Sequence, residues 1–162
     1  MNQSGRGVLL QTVWRVGERS PALTDEAITR LAGYVPRYGG TLGLTVHAVG
    51  GTGDHLHLLH DLPTSKTLVS VMEEIRRASV RFLRDSLNLP AFAWSDDTCL
   101  DSFRASDRES LVGYVRENAA RHAANRTVPE WECGGEDEES AALDADEMPE
   151  WLKQAAARTS GT

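Results

Sequence analysis

The stretch Gly53-Asp54-His55-Leu56-His57-Leu58-Leu59 decides the fold. Side chains along a β-strand alternate between the two faces of a sheet. His55 and His57 therefore share one face, and Leu56 and Leu58 can pack into a core on the other. With a rise of about 3.3 Å per residue, the two histidines stand roughly 7 Å apart, close enough for both rings to bind one cation. The dyad alone fits two interpretations, a cation site and a half-exposed strand that happens to carry two histidines.

The sequence before this strand predicts a strand, a helix and a second strand. A β-branched and aromatic run at 8–16 predicts the first strand. Thr24 is a candidate N-cap, and the helix that it starts should bend or end late at Pro36 and close at Gly39-Gly40. Residues 41–49 predict the second strand, joined to the histidine strand by a glycine-rich hairpin turn.

The sequence after the histidine strand predicts two more helices, over about 67–87 and 108–125, with short extended pieces between them. The element order is then β-α-β-β-α-β-α. This order indicates an α+β fold of ferredoxin-like type, with an antiparallel or mixed sheet and helices packed on one face.

Charge divides the chain into two predicted regions. Residues 1–128 carry 15 Lys+Arg and 14 Asp+Glu, whereas residues 129–162 carry 2 and 10. We therefore predict one domain over 1–128 and an acidic, flexible C-terminal tail over 129–162. The two cysteines have no metal-type spacing, and neither a signal-peptide pattern nor a membrane-length apolar run is present, so we expect a cytoplasmic protein with no membrane partner.

Four arginines of the helix predicted over about 67–87 form a basic stripe: Arg76, Arg77, Arg81 and Arg84. A solvated helix face is the usual explanation of such a stripe. Contact with nucleic-acid phosphates is the other. The sequence leaves both interpretations open.

The last predicted helix carries a polar line of side chains. Tyr114, Asn118 and His122 are spaced i, i+4 and i+8, so they share one helix face, while Leu111, Val115 and Ala119 lie beside that line and could seat it against the sheet. If the line faces His55 and His57, the carbonyl oxygen of Asn118 can be a third metal ligand and the Tyr114 hydroxyl can reach a polarised phosphate. The alternative is a surface helix with a half-buried tyrosine.

Together these motifs resemble those of the single-tyrosine HUH transposases of the insertion-sequence-200 type, whose relatives include the REP-associated tyrosine transposases. The resemblance covers roughly residues 8–128. The matching residues are Asp54-His55-Leu56-His57-Leu58-Leu59, Trp94, and Tyr114-Val115-Arg116-Glu117-Asn118 with His122 at the end, preceded by Trp14-Arg15-Val16-Gly17-Glu18-Arg19 and Pro21-Ala22-Leu23.

The resemblance implies an HUH endonuclease fold and a set of site residues. His55 and His57 would be metal ligands, Tyr114 would be the nucleophile, and Asn118 stands where the family usually has a glutamine ligand. His122 is an accessory candidate. Members of the family cut and join single-stranded DNA, often beside a hairpin, through a 5′-phosphotyrosine, and they work as dimers with a divalent cation, usually Mg²⁺ or Mn²⁺.

The chain departs from the family at Asn118 and over residues 95–104, where Ser95-Asp96-Asp97-Thr98-Cys99-Leu100-Asp101-Ser102-Phe103-Arg104 replaces the usual Gln-x-Gly-Tyr-Gly-Ala-Phe-Ser-Val-Ser. Two functions therefore follow from the sequence. The first is a metal-dependent transposase that nicks and joins single-stranded DNA as a homodimer. The second is a domesticated, transposase-derived module that binds a hairpin nucleic acid without cleaving it.

Overall fold

The computed structural model describes residues 8–132. Of these, residues 8–128 form a four-stranded sheet with helices on both faces. The strands are β1 (Leu9–Val16), β2 (Val46–Gly51), β3 (His55–His60) and β4 (Trp94–Phe103). The helices are α1 (Asp25–Thr41), α2 (Leu68–Ser86), α3 (Arg108–Arg116) and α4 (Asn118–Ala123), with short 3-10 turns at Ala105–Asp107 and Pro129–Trp131.

The sheet has the strand order β2-β3-β1-β4, and every neighbouring pair is antiparallel. The predicted α+β class is confirmed, and the sheet is antiparallel rather than mixed. The predicted hairpin between the second strand and the histidine strand is also confirmed, since β2 pairs with β3. The central position of β3 explains why all six of its residues are buried.

One face of the sheet carries the hydrophobic core. Leu56 and Leu58 of β3 and Trp14 of β1 pack there with buried residues of α1 and α2, among them Leu31, Val35, Ile75 and Leu83. Helices α1 and α2 are therefore on one face. The prediction that the helices pack on one face is wrong for the last two, because their buried residues pack against the histidine face instead. Helices α3 and α4 lie against the opposite face, on which the ring of Tyr114 neighbours that of His57 and the ring of His122 neighbours that of His55.

Helix α1 begins where the sequence predicts but ends later. The Thr24 hydroxyl accepts a hydrogen bond from the backbone N–H of Ala27 at 3.1 Å, which is the N-cap. The helix runs through Pro36 and through both glycines to Thr41. Proline removes a single backbone donor, and the burial of Val35 and Gly39 against the core outweighs that loss. The second strand is correspondingly displaced and starts at Val46.

The other differences lie near the C-terminal end of the domain. Ten residues, Trp94–Phe103, form one continuous strand instead of short extended pieces, because β1 supplies a pairing partner along nearly the whole segment. The helix predicted over 108–125 is broken at Glu117 into α3 and α4. No helix within residues 8–132 is long and apolar enough to cross a membrane. The predicted acidic tail beyond Glu132 lies outside the described residues.

His60 closes β3 as a buried histidine on the core face. Its Nε2 lies 2.8 Å from the Thr12 hydroxyl and its Nδ1 lies 2.8 Å from the Asp61 carbonyl oxygen. Burial lowers the pKa of the His60 imidazole, although the neighbouring Asp61 opposes that shift.

We expect His60 to make the domain less stable in mild acid. In the unfolded chain a histidine binds a proton near pH 6.5, whereas folded His60 binds it only at lower pH. The free energy of unfolding should thus be largest above about pH 6.5 and fall as the pH drops toward the lower, folded pKa. Urea unfolding between pH 5 and 7.5 should show a weaker pH dependence for His60→Gln than for the wild type. Equal pH dependence in the two proteins would contradict this expectation.

Candidate metal and nucleophile site

The two histidines of β3 stand together on the face opposite the core. Their ring centroids are 4.9 Å apart, and the rings meet edge to face. His55 is 8% exposed and His57 is fully buried. The strand thus places two imidazoles side by side, as the alternation of histidine and leucine predicts.

A carboxylate and a hydroxyl orient the imidazole of His55. The Nδ1–H group donates to the Asp54 carboxylate at 2.6 Å, and the Thr52 hydroxyl lies 3.0 Å from the same nitrogen. The Thr52 hydroxyl also donates to Asp54 at 2.6 Å. This hydrogen bond, followed by that from His55, lowers the pKa of the Asp54 carboxyl. With its proton on Nδ1, His55 carries its lone pair on Nε2, the arrangement typical of a metal-binding histidine.

A buried glutamine orients His57 in the same way. Nδ1 of His57 lies 3.2 Å from Oε1 of Gln11, which is itself fully buried on β1. The amide oxygen accepts the Nδ1 proton, which again assigns the lone pair to Nε2. Both histidines therefore have the outer hydrogen bonds that hold a metal-binding ring in place, and the donor set fits a divalent cation.

Gly50 allows α3 to lie directly on the sheet. A Cβ atom at this position of β2 would be 2.0 Å from the backbone oxygen of Val115 and 2.9 Å from its carbonyl carbon. Leu111 and Val115 of α3 are fully buried, as predicted. The α3 backbone therefore touches the strand beside the histidines with no side chain between them.

This close packing brings Tyr114 to the histidines within a single chain. The ring centroids of Tyr114 and His57 are 6.4 Å apart. The phenol is fully buried, its hydroxyl accepts a hydrogen bond from the Val128 N–H at 3.1 Å, and the Arg121 guanidinium lies 5.0 Å from the ring centroid. In this arrangement the hydroxyl lies against the Val128 backbone and not in solvent.

The break at Glu117 separates Tyr114 on α3 from Asn118 and His122 on α4. Asn118 becomes the first residue of α4 and is fully buried, whereas Ala119 is exposed and does not seat the helix. His122 lies near the end of α4, and its ring centroid is 4.9 Å from that of His55. A ring nitrogen of His122 lies within 4.8 Å of one of His55.

The roles of four residues of this site were not predicted from the sequence. Gln11 is 46 positions from its partner His57 along the chain, and only the strand pairing brings them together. The sequence predicts that Gly50 belongs to a turn, whereas in the structure it belongs to strand β2. Thr52 and Asp54 lie just before His55 in the sequence. The position of Asp54 next to His55 is the local feature from which an orienting carboxylate could have been predicted.

The arginine stripe of α2 divides into two pairs. Arg76 donates to the backbone oxygen of Ser95, and Arg84 donates twice to that of Phe92, at 3.0 and 2.8 Å. These two arginines tie α2 to the start of β4. Arg77 and Arg81 are exposed. They line an open groove of about 770 Å³, whose other lining residues include Arg76, Glu74, Tyr38 and Trp94. The groove lies on the α1–α2 side of the sheet, away from the histidine face.

Comparison with known proteins identifies the family. Residues 6–118 match the family model described as "Transposase IS200 like", which spans more than half of the chain. The chain belongs to this transposase family. The matched segment includes His55, His57, Tyr114 and Asn118 and stops before His122. No match was found among curated protein sequences.

Solved structures of this transposase type share the fold. A candidate transposase from Deinococcus radiodurans R1 aligns with a TM-score of 0.52 at 16% identity, over 79% of this chain and 97% of that one. A REP-associated tyrosine transposase bound to a REP hairpin aligns with a TM-score of 0.50 at 21% identity, over 78% and 74%. At these identities the likeness establishes the fold, which agrees with the α+β HUH architecture predicted from the sequence.

Proposed function

We propose that this transposase cleaves and joins single-stranded DNA with Tyr114 as the nucleophile and a divalent cation on His55, His57 and Asn118. The observation that carries the proposal is the distance of 6.4 Å between the ring centroids of Tyr114 and His57. His57 is itself oriented by a hydrogen bond between its Nδ1 and Gln11. A tyrosine, two oriented imidazoles and a buried carboxamide on facing elements suit metal-assisted phosphoryl transfer better than a packed core.

In the proposed reaction the Tyr114 oxygen attacks a DNA phosphorus and loses its proton. The bond from phosphorus to the 3′ oxygen breaks, which leaves a 5′-phosphotyrosine and a 3′-OH that has taken up a proton. A 3′-OH of another strand later attacks the phosphotyrosine and releases Tyr114. The cation, Mg²⁺ or Mn²⁺, supplies Lewis-acid stabilisation of the charge on the phosphate.

The proposed substrate is a single strand that carries a hairpin, and the proposed assembly is a homodimer acting in the cytoplasm. The hairpin is supported by the similar REP-associated transposase, which is bound to a REP hairpin. The dimer and the location rest on the family resemblance. The Tyr114 side chain is fully buried, so in this proposal it has to become accessible to DNA before attack.

Denaturing electrophoresis after incubation with hairpin-flanked single strands and Mn²⁺ tests the proposal. We expect a covalent protein–DNA adduct with wild type and with Tyr34→Phe, and none with Tyr114→Phe. The chain has three tyrosines, so peptide mapping assigns the adduct without ambiguity. Strands labelled on either side of the cleaved bond should show that the 5′-phosphate side is attached. An adduct that persists in Tyr114→Phe would refute the assigned nucleophile.

One observation favours the second function, binding without cleavage. The Tyr114 side chain is fully buried, and its hydroxyl is engaged by the backbone. A domesticated protein of this family would keep the fold and the hairpin contact while the phenol stays in this position. In the same experiment such a protein shifts the hairpin in a native gel, yet the wild type gives no adduct.

We expect Arg77 and Arg81 to contribute to DNA binding through phosphate charge. For the double variant Arg77→Glu/Arg81→Glu, affinity should fall by similar factors for all single-stranded sequences. Loss of two phosphate contacts should also reduce the slope of log affinity against log salt by about 1.4. Fluorescence anisotropy at several salt concentrations measures both effects.

The matched control is Arg30→Glu/Arg37→Glu, which changes the charge equally at two exposed arginines of α1. This control should retain most of the wild-type affinity and the wild-type salt slope. If both double variants bind alike, the stripe on α2 is a solvated helix face.

A further inference from the structure

His55 has two imidazole neighbours, one on its own strand and one on α4. His55 is the central one, with ring centroids 4.9 Å from His57 on its own strand and 4.9 Å from His122 on α4. His122 is half-buried and comes from an element that packs against β2. The family match ends at Asn118, so His122 is a feature of this chain outside the matched segment.

The separation between His55 and His122 suits a shared ion. Ring nitrogens that bind one cation, each at about 2.0–2.1 Å, stand roughly 3–4 Å apart. A ring nitrogen of His122 is within 4.8 Å of one of His55, so a small change in side-chain torsion closes the remaining gap. The hydrogen bond from Nδ1 to Asp54 fixes which His55 nitrogen faces inward.

We infer that His122 is a protein ligand of the cation held by His55 and His57, which gives this chain a three-imidazole site. The inference rests on the proposed function for the presence of a cation. His122 lies about one helical turn after Asn118, the first residue of α4. In this site His122 supplies the third strong donor, where the asparagine side chain is one methylene shorter than the family's glutamine.

A third imidazole changes which metals bind best. Imidazole ligands suit Ni²⁺ and Zn²⁺, and affinity for a nitrogen site rises from Mn²⁺ through Co²⁺ to Ni²⁺. Mg²⁺ and Mn²⁺ prefer oxygen ligands, and Mg²⁺ retains its waters. We therefore expect Co²⁺ to bind the full-length protein at least about tenfold more tightly than Mg²⁺, with affinity rising from Mn²⁺ to Co²⁺ to Ni²⁺.

Metal titration without DNA tests the inference independently of activity. Co²⁺ binding is followed by its visible absorption, and Mg²⁺, Mn²⁺ and Co²⁺ binding by the rise in melting temperature, because a ligand of the folded state stabilises it. His122→Ala should weaken Co²⁺ binding about tenfold or more, change the Co²⁺ spectrum, and leave Mg²⁺ binding nearly unchanged. His122→Asn, closer to histidine in size and polarity, should do the same. Asn118→Ala should have the smaller effect on Co²⁺.

The matched control is His47→Ala, which removes an imidazole that pairs with Asp61 elsewhere on the sheet. It should bind Co²⁺ like the wild type. If His55→Ala abolishes Co²⁺ binding while both His122 variants bind normally with an unchanged spectrum, His122 is not a ligand and the inference is overturned, though the proposed metal site stands. If His55→Ala and His57→Ala also bind normally, or the wild type binds no cation, the inference and the metal dependence of the proposed function both fail.

Discussion

Replacing Gly50 with alanine is expected to lift α3 from the sheet and to abolish the covalent DNA adduct. The added Cβ would stand 2.0 Å from the backbone oxygen of Val115. A backbone atom cannot rotate away as a side chain can, so the helix itself has to shift. Forced overpacking of this kind costs about 1–3 kcal/mol of unfolding free energy, and the shift separates Tyr114 from His57.

Urea unfolding and the adduct assay measure the two consequences. Gly113→Ala is the matched control, because it makes the same substitution within α3, where a Cβ meets nothing within 4 Å. Alanine is favoured over glycine in a helix by up to about 1 kcal/mol, so this control should be at least as stable as the wild type and equally active. Wild-type stability and adduct yield in Gly50→Ala would show that the close contact is unimportant.

Replacing Asp54 with asparagine is expected to weaken metal binding by about 10–100-fold, the usual consequence of losing an outer carboxylate. The carboxylate accepts the Nδ1 proton of His55 at 2.6 Å, and its negative charge makes the ring a stronger donor. Asp54 is exposed, with 84% of its side chain accessible, so the variant should fold normally. Calorimetric titration with Mn²⁺ measures the change in affinity.

A second carboxylate–histidine pair provides the control. Asp61 follows β3 at its other end and lies 2.7 Å from Nε2 of His47, outside the histidine site. Asp61→Asn removes the same charge from a comparable pair and should leave Mn²⁺ affinity unchanged. Equal losses in the two variants would mean that net charge, and not the orientation of His55, governs the affinity.

The parts of the site that follow from local sequence could be predicted. Alternation along a strand is a property of the backbone, so His55 and His57 separate from Leu56 and Leu58 in any sheet that contains the strand. The helix face that bears Tyr114 follows from helical spacing in the same way. The family resemblance then indicated that the histidine strand and the tyrosine helix meet at one site.

The parts that depend on pairing between distant segments could not be predicted. Gln11 orients His57 only because β1 lies beside β3. The long strand β4 has a poor β-sheet composition and forms because β1 offers it a partner. Arg84 looks like a surface cation in the sequence, yet it binds the Phe92 carbonyl oxygen. The break at Glu117 likewise has no glycine or proline to announce it.

Strand β3 shows how stability and chemistry share a short segment. Its core leucines alternate with the two histidines of the proposed metal site, so a point substitution can remove one property and leave the other. A one-residue insertion or deletion within the strand changes both properties together. It moves every side chain beyond that point to the opposite face of the sheet. Histidines would then enter the core as leucines turned toward the site. This segment therefore tolerates substitution far better than any change in length.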